Sequence, residues 1–221
     1  MRDLQENNVP AENQNKSHYY YKGGGNGLRV LFVGNSITKH APKPSIGWDR
    51  DCGMAASSID KDYVHVTAAK IKEIDPEMSF AILQVAEFER TFETKDIYTD
   101  YKEAIDYKAD IIVMFFGANV SKEYDKQENP TVKFGEKYEE LRNVLNSHGT
   151  AKVYHSEGFY NRPILNAEKK AVAERLGDTY IELGDITTRE DTHGKFNHPS
   201  DKGMEEIANL FFKYIEPNLN K

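Results

Sequence analysis

Leu28-Arg29-Val30-Leu31-Phe32-Val33-Gly34-Asn35-Ser36-Ile37-Thr38 is the stretch whose reading decides the fold. An apolar run flows without a break into Gly-Asn-Ser, so a strand of the fully buried kind ends in a sharp turn that presents a hydroxyl. In α/β proteins such a serine stands at the carboxyl edge of the sheet, where nucleophiles and ligand contacts gather. Gly34-Asn35-Ser36 alone also fits an ordinary turn. Three other segments, far away in sequence, supply what this serine would need.

Working outward from that strand, apolar runs alternate with helical periodicity. Strands are predicted at 28–33, 79–85, 111–116, 151–155 and 179–183, and helices at 61–74, 98–107, 135–147 and 165–176. Pro199 is expected to open a last helix that runs to about Tyr214, since proline suits an early helical position. Strands separated by helices imply parallel pairing and right-handed crossovers. The expected fold class is therefore α/β: a three-layer α/β/α sandwich on a five-stranded parallel sheet in the flavodoxin-like order 2-1-3-4-5. Residues 1–26, rich in Asn and Gln, read as a loosely ordered leader that Tyr19, Tyr20 and Tyr21 could pin to the domain or turn into an edge strand. Residues 27–221 read as one domain.

With 221 residues the chain is long enough for one well-buried domain and short for two. A net charge of −7 argues against nucleic acid or an anionic membrane as partner. No apolar run reaches the roughly 18–20 residues of a membrane span, and the first residues lack the apolar stretch of a secretory signal, so a cytoplasmic location is expected, with a secreted protein lacking its signal peptide as the alternative. The single Cys52 forms no internal disulfide and reads as a small buried thiol. The histidines show no metal spacing, so neither a metal nor a cofactor is expected. Homo-oligomer formation stays open.

Ser36, Asn119 (in Phe116-Gly117-Ala118-Asn119) and His198 (in Phe196-Asn197-His198-Pro199) all fall in loops at that carboxyl edge or returning to it. A serine hydroxyl needs a base, and a histidine can carry its proton both ways. The oxyanion of an acyl-transfer intermediate needs donors fixed in advance. The Asn119 amide, the Ser36 backbone N–H and the N–H of Gly53 are the candidates. His193 is a competing base.

These residues resemble the four blocks of the SGNH, or GDSL-type, hydrolases. Gly34-Asn35-Ser36-Ile37 is similar to the nucleophile block, Gly53 to the glycine block, Gly117-X-Asn119 to the asparagine block and His198-Pro199 to the histidine block. The resemblance spans about 28–216. It implies the same sandwich, Ser36 as nucleophile, His198 as base, and Ser36, Gly53 and Asn119 as oxyanion donors in ester hydrolysis through an acyl-enzyme. Asn35 stands where the family has Asp, a change expected to be mild. Lys195 stands where the family has the aspartate that orients the histidine. Glu157, Asp191, Asp201 or a backbone carbonyl could take over that task, with Glu157 first among the side chains and a plain Ser–His dyad equally open. In the insert 41–50, Trp48 could stack on a sugar and Arg50 bind a carboxylate or hydroxyls, or Trp48 could simply anchor the loop. The expected activity is cleavage of small acyl esters, carbohydrate O-acetyl groups foremost. The alternatives are a lipid ester or thioester hydrolase, or a weakly catalytic carbohydrate-binding protein that keeps the fold.

Overall fold

The computed structural model describes residues 18–23 and 25–219. The strands among them are β1 (Tyr19–Lys22), β2 (Arg29–Gly34), β3 (Ser79–Gln84), β4 (Ile111–Phe115), β5 (Lys152–Ser156) and β6 (Thr179–Ile181), in the sheet order β1-β3-β2-β4-β5-β6. From β2 onward every pairing is parallel, and without β1 the order is the expected 2-1-3-4-5. β1 is a sixth strand, antiparallel on the outer edge of β3 with Tyr19 opposite Leu83. It is the edge strand that the leader reading left open for Tyr19, Tyr20 and Tyr21. Tyr19 and Tyr21 set their rings edge-on against Tyr107, with centroids 6.2 and 5.9 Å apart, which holds the segment to the sheet. The rest of the leader reading, over residues 1–17, lies outside the described residues.

The helices are α1 (Tyr63–Ile74), α2 (Ala86–Thr91), α3 (Ile97–Asp100), α4 (Lys102–Asp106), α5 (Phe134–Leu145), α6 (Pro163–Leu176) and α7 (Asp201–Ile215). The central strands are buried on both faces and send alternate side chains to two cores. Val30, Phe32, Phe80, Ile82, Val113 and Phe115 cluster with Tyr63, Val64 and Ile71 of α1 and with Met204, Ile207 and Phe211 of α7. Leu31, Val33, Ala81, Leu83, Ile112 and Met114 cluster with Phe88 of α2, Phe134, Tyr138 and Leu141 of α5, and Leu165 and Val172 of α6. The result is the expected three-layer sandwich.

Local chemistry sets most helix ends. Asp62 caps α1 by accepting from the His65 N–H at 2.8 Å, and Ser200 caps α7 by accepting from the Gly203 N–H at 3.2 Å. The latter puts Pro199 just outside the helix rather than within it. The helix expected over 98–107 breaks at Tyr101, which leaves helical geometry (φ −112°, ψ 20°) with its ring buried. α2 was not foreseen, because six residues are too few to display a period. Its position directly after β3 places it at the carboxyl edge of the sheet.

Candidate active site

The turn after β2 is tight because Gly34 lets the Thr38 side chain press against its Cα; a Cβ there would meet Thr38 Oγ1 at 1.7 Å. The Asn35 carbonyl accepts from the N–H groups of Thr38 and Lys39, both at 3.0 Å, and Asn35 Oδ1 accepts from the Ile37 N–H at 3.1 Å. Ser36 is thereby held at the head of the turn, with Oγ 2.7 Å from His198 Nε2, although 162 residues separate the two.

His198 arrives on the loop before α7. Its Nδ1 lies 2.7 Å from the carbonyl oxygen of Phe196 and 3.4 Å from the Tyr160 hydroxyl. A carbonyl only accepts, so Nδ1 carries the proton and Nε2 is left to accept from the Ser36 hydroxyl. Burial pushes the His198 pKa below its usual 6.5; the Phe196 carbonyl opposes this and nearby His40 adds to it. Phe196 and Asn197 have φ of +58° and +56°, a left-handed pair of non-glycine residues that turns the Phe196 carbonyl back toward the ring. The Trp48 ring meets Phe196 edge-on at 6.2 Å and supports that turn.

The acids offered as substitutes for the missing aspartate are engaged elsewhere. Glu157 Oε2 accepts from the Leu183 N–H at 2.9 Å, tying the end of β5 to the segment after β6, so it does not orient His198. Asp191 pairs with Arg189 and Lys202, and Asp201 accepts from the Ser57 N–H at 2.7 Å. Lys195 contributes only its carbonyl, which accepts from the His198 backbone N–H at 3.0 Å. The backbone carbonyl is the partner that the loop geometry selects. His193, the rival base, is turned away, with Nε2 3.1 Å from the Thr187 carbonyl and its ring against Phe159.

Asn119 shares with Ser36 a cleft of about 350 Å³, along with Met54, Gln84, Ala86 and Arg90. Its Nδ2 donates to Glu89 Oε2 at 2.5 Å, and its Oδ1 accepts from Arg90 Nη2 at 3.2 Å. Glu89 Oε1 accepts from the Gly117 N–H at 2.5 Å and from Asn35 Nδ2 at 3.0 Å. Asn35 therefore uses its amide nitrogen as well as its oxygen, and an aspartate could not replace it mildly. Glu89 was missed in the sequence because it sits on the unforeseen α2. The available signal was a glutamate between Phe88 and Arg90 directly after a buried strand.

Gly53 does not fit its expected role. Its N–H donates to Asp62 Oδ2 at 3.1 Å, and a Cβ on it would meet the Ile37 carbonyl at 2.5 Å and Asp62 Cβ at 2.8 Å. This glycine serves close packing, and its donor is used inside the fold. Trp48 is likewise corrected as a sugar platform: it is 2 % exposed and its Nε1 donates to the His40 carbonyl at 3.1 Å. Arg50 lies over the Trp48 ring and against Asp49 rather than in the cleft. Cys52 is buried, and burial raises its thiol pKa far above the usual value.

The strand order and layering make this the fold of the SGNH/GDSL hydrolases. Among solved structures the chain is similar to a family two carbohydrate esterase from Clostridium thermocellum, at 15% identity and TM-score 0.61, over 88% of this chain and 65% of that one. It is similar to Axe2, an acetylxylan esterase from Geobacillus stearothermophilus, at 17% identity and TM-score 0.54, over 88% and 96% of the two chains. A third is Est24, a carbohydrate acetylesterase from Sinorhizobium meliloti, at 14% identity and TM-score 0.60, over 86% and 99%. This chain thus spans just under two thirds of the Clostridium esterase and nearly all of the other two. No family model and no curated protein matches the sequence.

Proposed function

We propose that this chain is a serine esterase that removes small acyl groups, O-acetyl groups on carbohydrates foremost, through an acyl-enzyme. One observation carries the reading: Ser36 Oγ, the His198 imidazole and the Phe196 carbonyl stand in series at 2.7 and 2.7 Å. Ser36 Oγ bonds to the ester carbonyl carbon as His198 Nε2 takes its proton. The imidazolium keeps its Nδ1–H on the Phe196 carbonyl. The Ser36 backbone N–H and the second Nδ2–H of Asn119 hold the oxyanion. When the C–O bond to the alcohol breaks, Nε2 returns the proton to the leaving oxygen. Water then repeats the sequence, which frees the carboxylic acid, later ionised in solvent, and restores Ser36.

A polar cleft supports the substrate class. His18, Lys39, His40 and Gln84 line it and suit a hydroxyl-rich alcohol better than an acyl chain. Chains of like fold named as carbohydrate esterases and acetylesterases support the same choice. A fluorophosphonate probe tests the chemistry: covalent labelling of wild type that Ser36→Ala abolishes is the expected result. A panel of p-nitrophenyl esters, acetylated oligosaccharides, lipid esters and thioesters then reads specificity. Folded wild type that resists the probe and cleaves no ester, yet binds oligosaccharide, would make the chain a binding protein instead.

A further inference from the structure

Oxyanion donation by Asn119 has a requirement that the residue alone does not meet. An asparagine amide has nearly the same shape in both orientations, so an unanchored one presents oxygen to the cleft as readily as nitrogen. Here the two ends of the amide have partners of opposite kind. A carboxylate, which can only accept when ionised, takes the nitrogen end through Glu89 Oε2 at 2.5 Å. A guanidinium, which can only donate, takes the oxygen end through Arg90 Nη2 at 3.2 Å. We infer that the consecutive residues Glu89 and Arg90 of α2 form a two-ended clamp that positions the Asn119 amide for oxyanion donation. The inference rests on the esterase reading given above.

The second oxygen of Glu89 extends the clamp to the nucleophile. It accepts from the Gly117 N–H and from Asn35 Nδ2, so the loop after β4 and the turn bearing Ser36 share one anchor. Gly117 has φ +133°, which only glycine adopts without strain and which lets that loop reach Glu89. Glu89 is fully buried, so its position follows the core rather than solvent. Spacing between nucleophile and donor is therefore set by one carboxylate.

A carboxylate so close to a developing oxyanion would repel it unless its charge were offset. Arg90 supplies one positive charge on the cleft side. Lys169, fully buried behind Gly117, donates from Nζ to the carbonyls of Phe116 at 3.0 Å and Ser156 at 2.9 Å and so braces the start of that loop, while the charge balance rests on Glu89 and Arg90. The clamp is thus close to neutral as a unit.

Steady-state kinetics on p-nitrophenyl acetate and side-chain 15N–1H spectra test the clamp together. Arg90 is exposed, so Arg90→Ala folds normally; it should lower kcat by about tenfold with KM changed less than about threefold. Asn119→Ala should lower kcat by about 10²–10³, and Arg90→Ala on that background should cost nothing more. Glu89→Gln should fall between the two single variants and leave KM alone. The Asn119 side-chain resonances, identified by their loss in Asn119→Ala, should move in both Glu89→Gln and Arg90→Ala. If Glu89→Gln does not fold, Arg90→Ala decides. Unmoved resonances, a kcat within twofold of wild type, or additive losses in the double variant would overturn the clamp. Wild type inert toward every ester, with the resonances moving as expected, would instead overturn the esterase reading and leave the clamp standing.

Discussion

In the proposed reaction His198 has to be neutral to take the Ser36 proton, and burial moves its pKa below the usual 6.5. Protonation removes the base, so kcat/KM should rise with pH through a midpoint below 6.5 and be level by neutrality. A midpoint at or above 6.5 would contradict that environment. Asn35 carries a second prediction at this scale. Its Nδ2 donates to buried Glu89, so Asn35→Asp brings two carboxylates about 3 Å apart. Chemical unfolding at pH 8 should show a loss of about 1–3 kcal/mol, with a drop in kcat. The deficit should shrink toward pH 5, as one carboxyl of the pair, its pKa raised by the other, takes up a proton. Glu157 makes the opposite case. A glutamine oxygen can still accept from the Leu183 N–H, so Glu157→Gln should leave kcat within about threefold.

At the scale of elements, the loop 194–200 takes, in the proposed site, the place that the family pattern gives to an aspartate. Two left-handed residues turn a carbonyl toward Nδ1, and Trp48 backs the first of them from another loop. Trp48→Phe keeps a ring against Phe196 but loses the Nε1 bond to the His40 carbonyl. It should cost about 1–3 kcal/mol in urea unfolding and reduce kcat more than it raises KM. Equal kcat with equal stability would show that the loop holds itself. This part of the site was only partly legible. Ser36, Asn119 and His198 stood out because each follows a recognisable strand or precedes a proline just ahead of a helix. The orienting carbonyl did not, because a left-handed Phe-Asn pair has no sequence signature and every residue carries a carbonyl. α2 was invisible for a related reason: a single short turn buries one face without repeating it.

Across the whole molecule, Lys169 joins the site to global stability. Its amine lies fully inside the protein and is pushed down to about 7 by burial, with Glu89 and Glu157 opposing the shift. The unfolded chain regains a value near 10.5, so between about pH 7 and 10.5 it binds more protons than the folded protein. Folding free energy attributable to this residue should therefore improve as pH climbs across that window. Lys169→Met removes the titrating group, and its stability-against-pH curve should be flatter there than that of wild type. Parallel slopes for the two proteins would show that the amine is not desolvated as the core requires.

By itself the chain determined its layers, the order of its five parallel strands and three of the groups that meet at the sheet edge. Those follow from hydrophobic period, turn chemistry and the handedness of crossovers, all of which act locally along the sequence. Only the tertiary structure decided which acceptor holds His198, where the Gly53 donor is directed, and that Glu89 ties Asn35, Gly117 and Asn119 together. Those choices depend on ångström-scale approach between loops as much as 162 residues apart. A hydrogen bond weakens steeply with small errors of distance and angle, so residue spacing alone does not decide it.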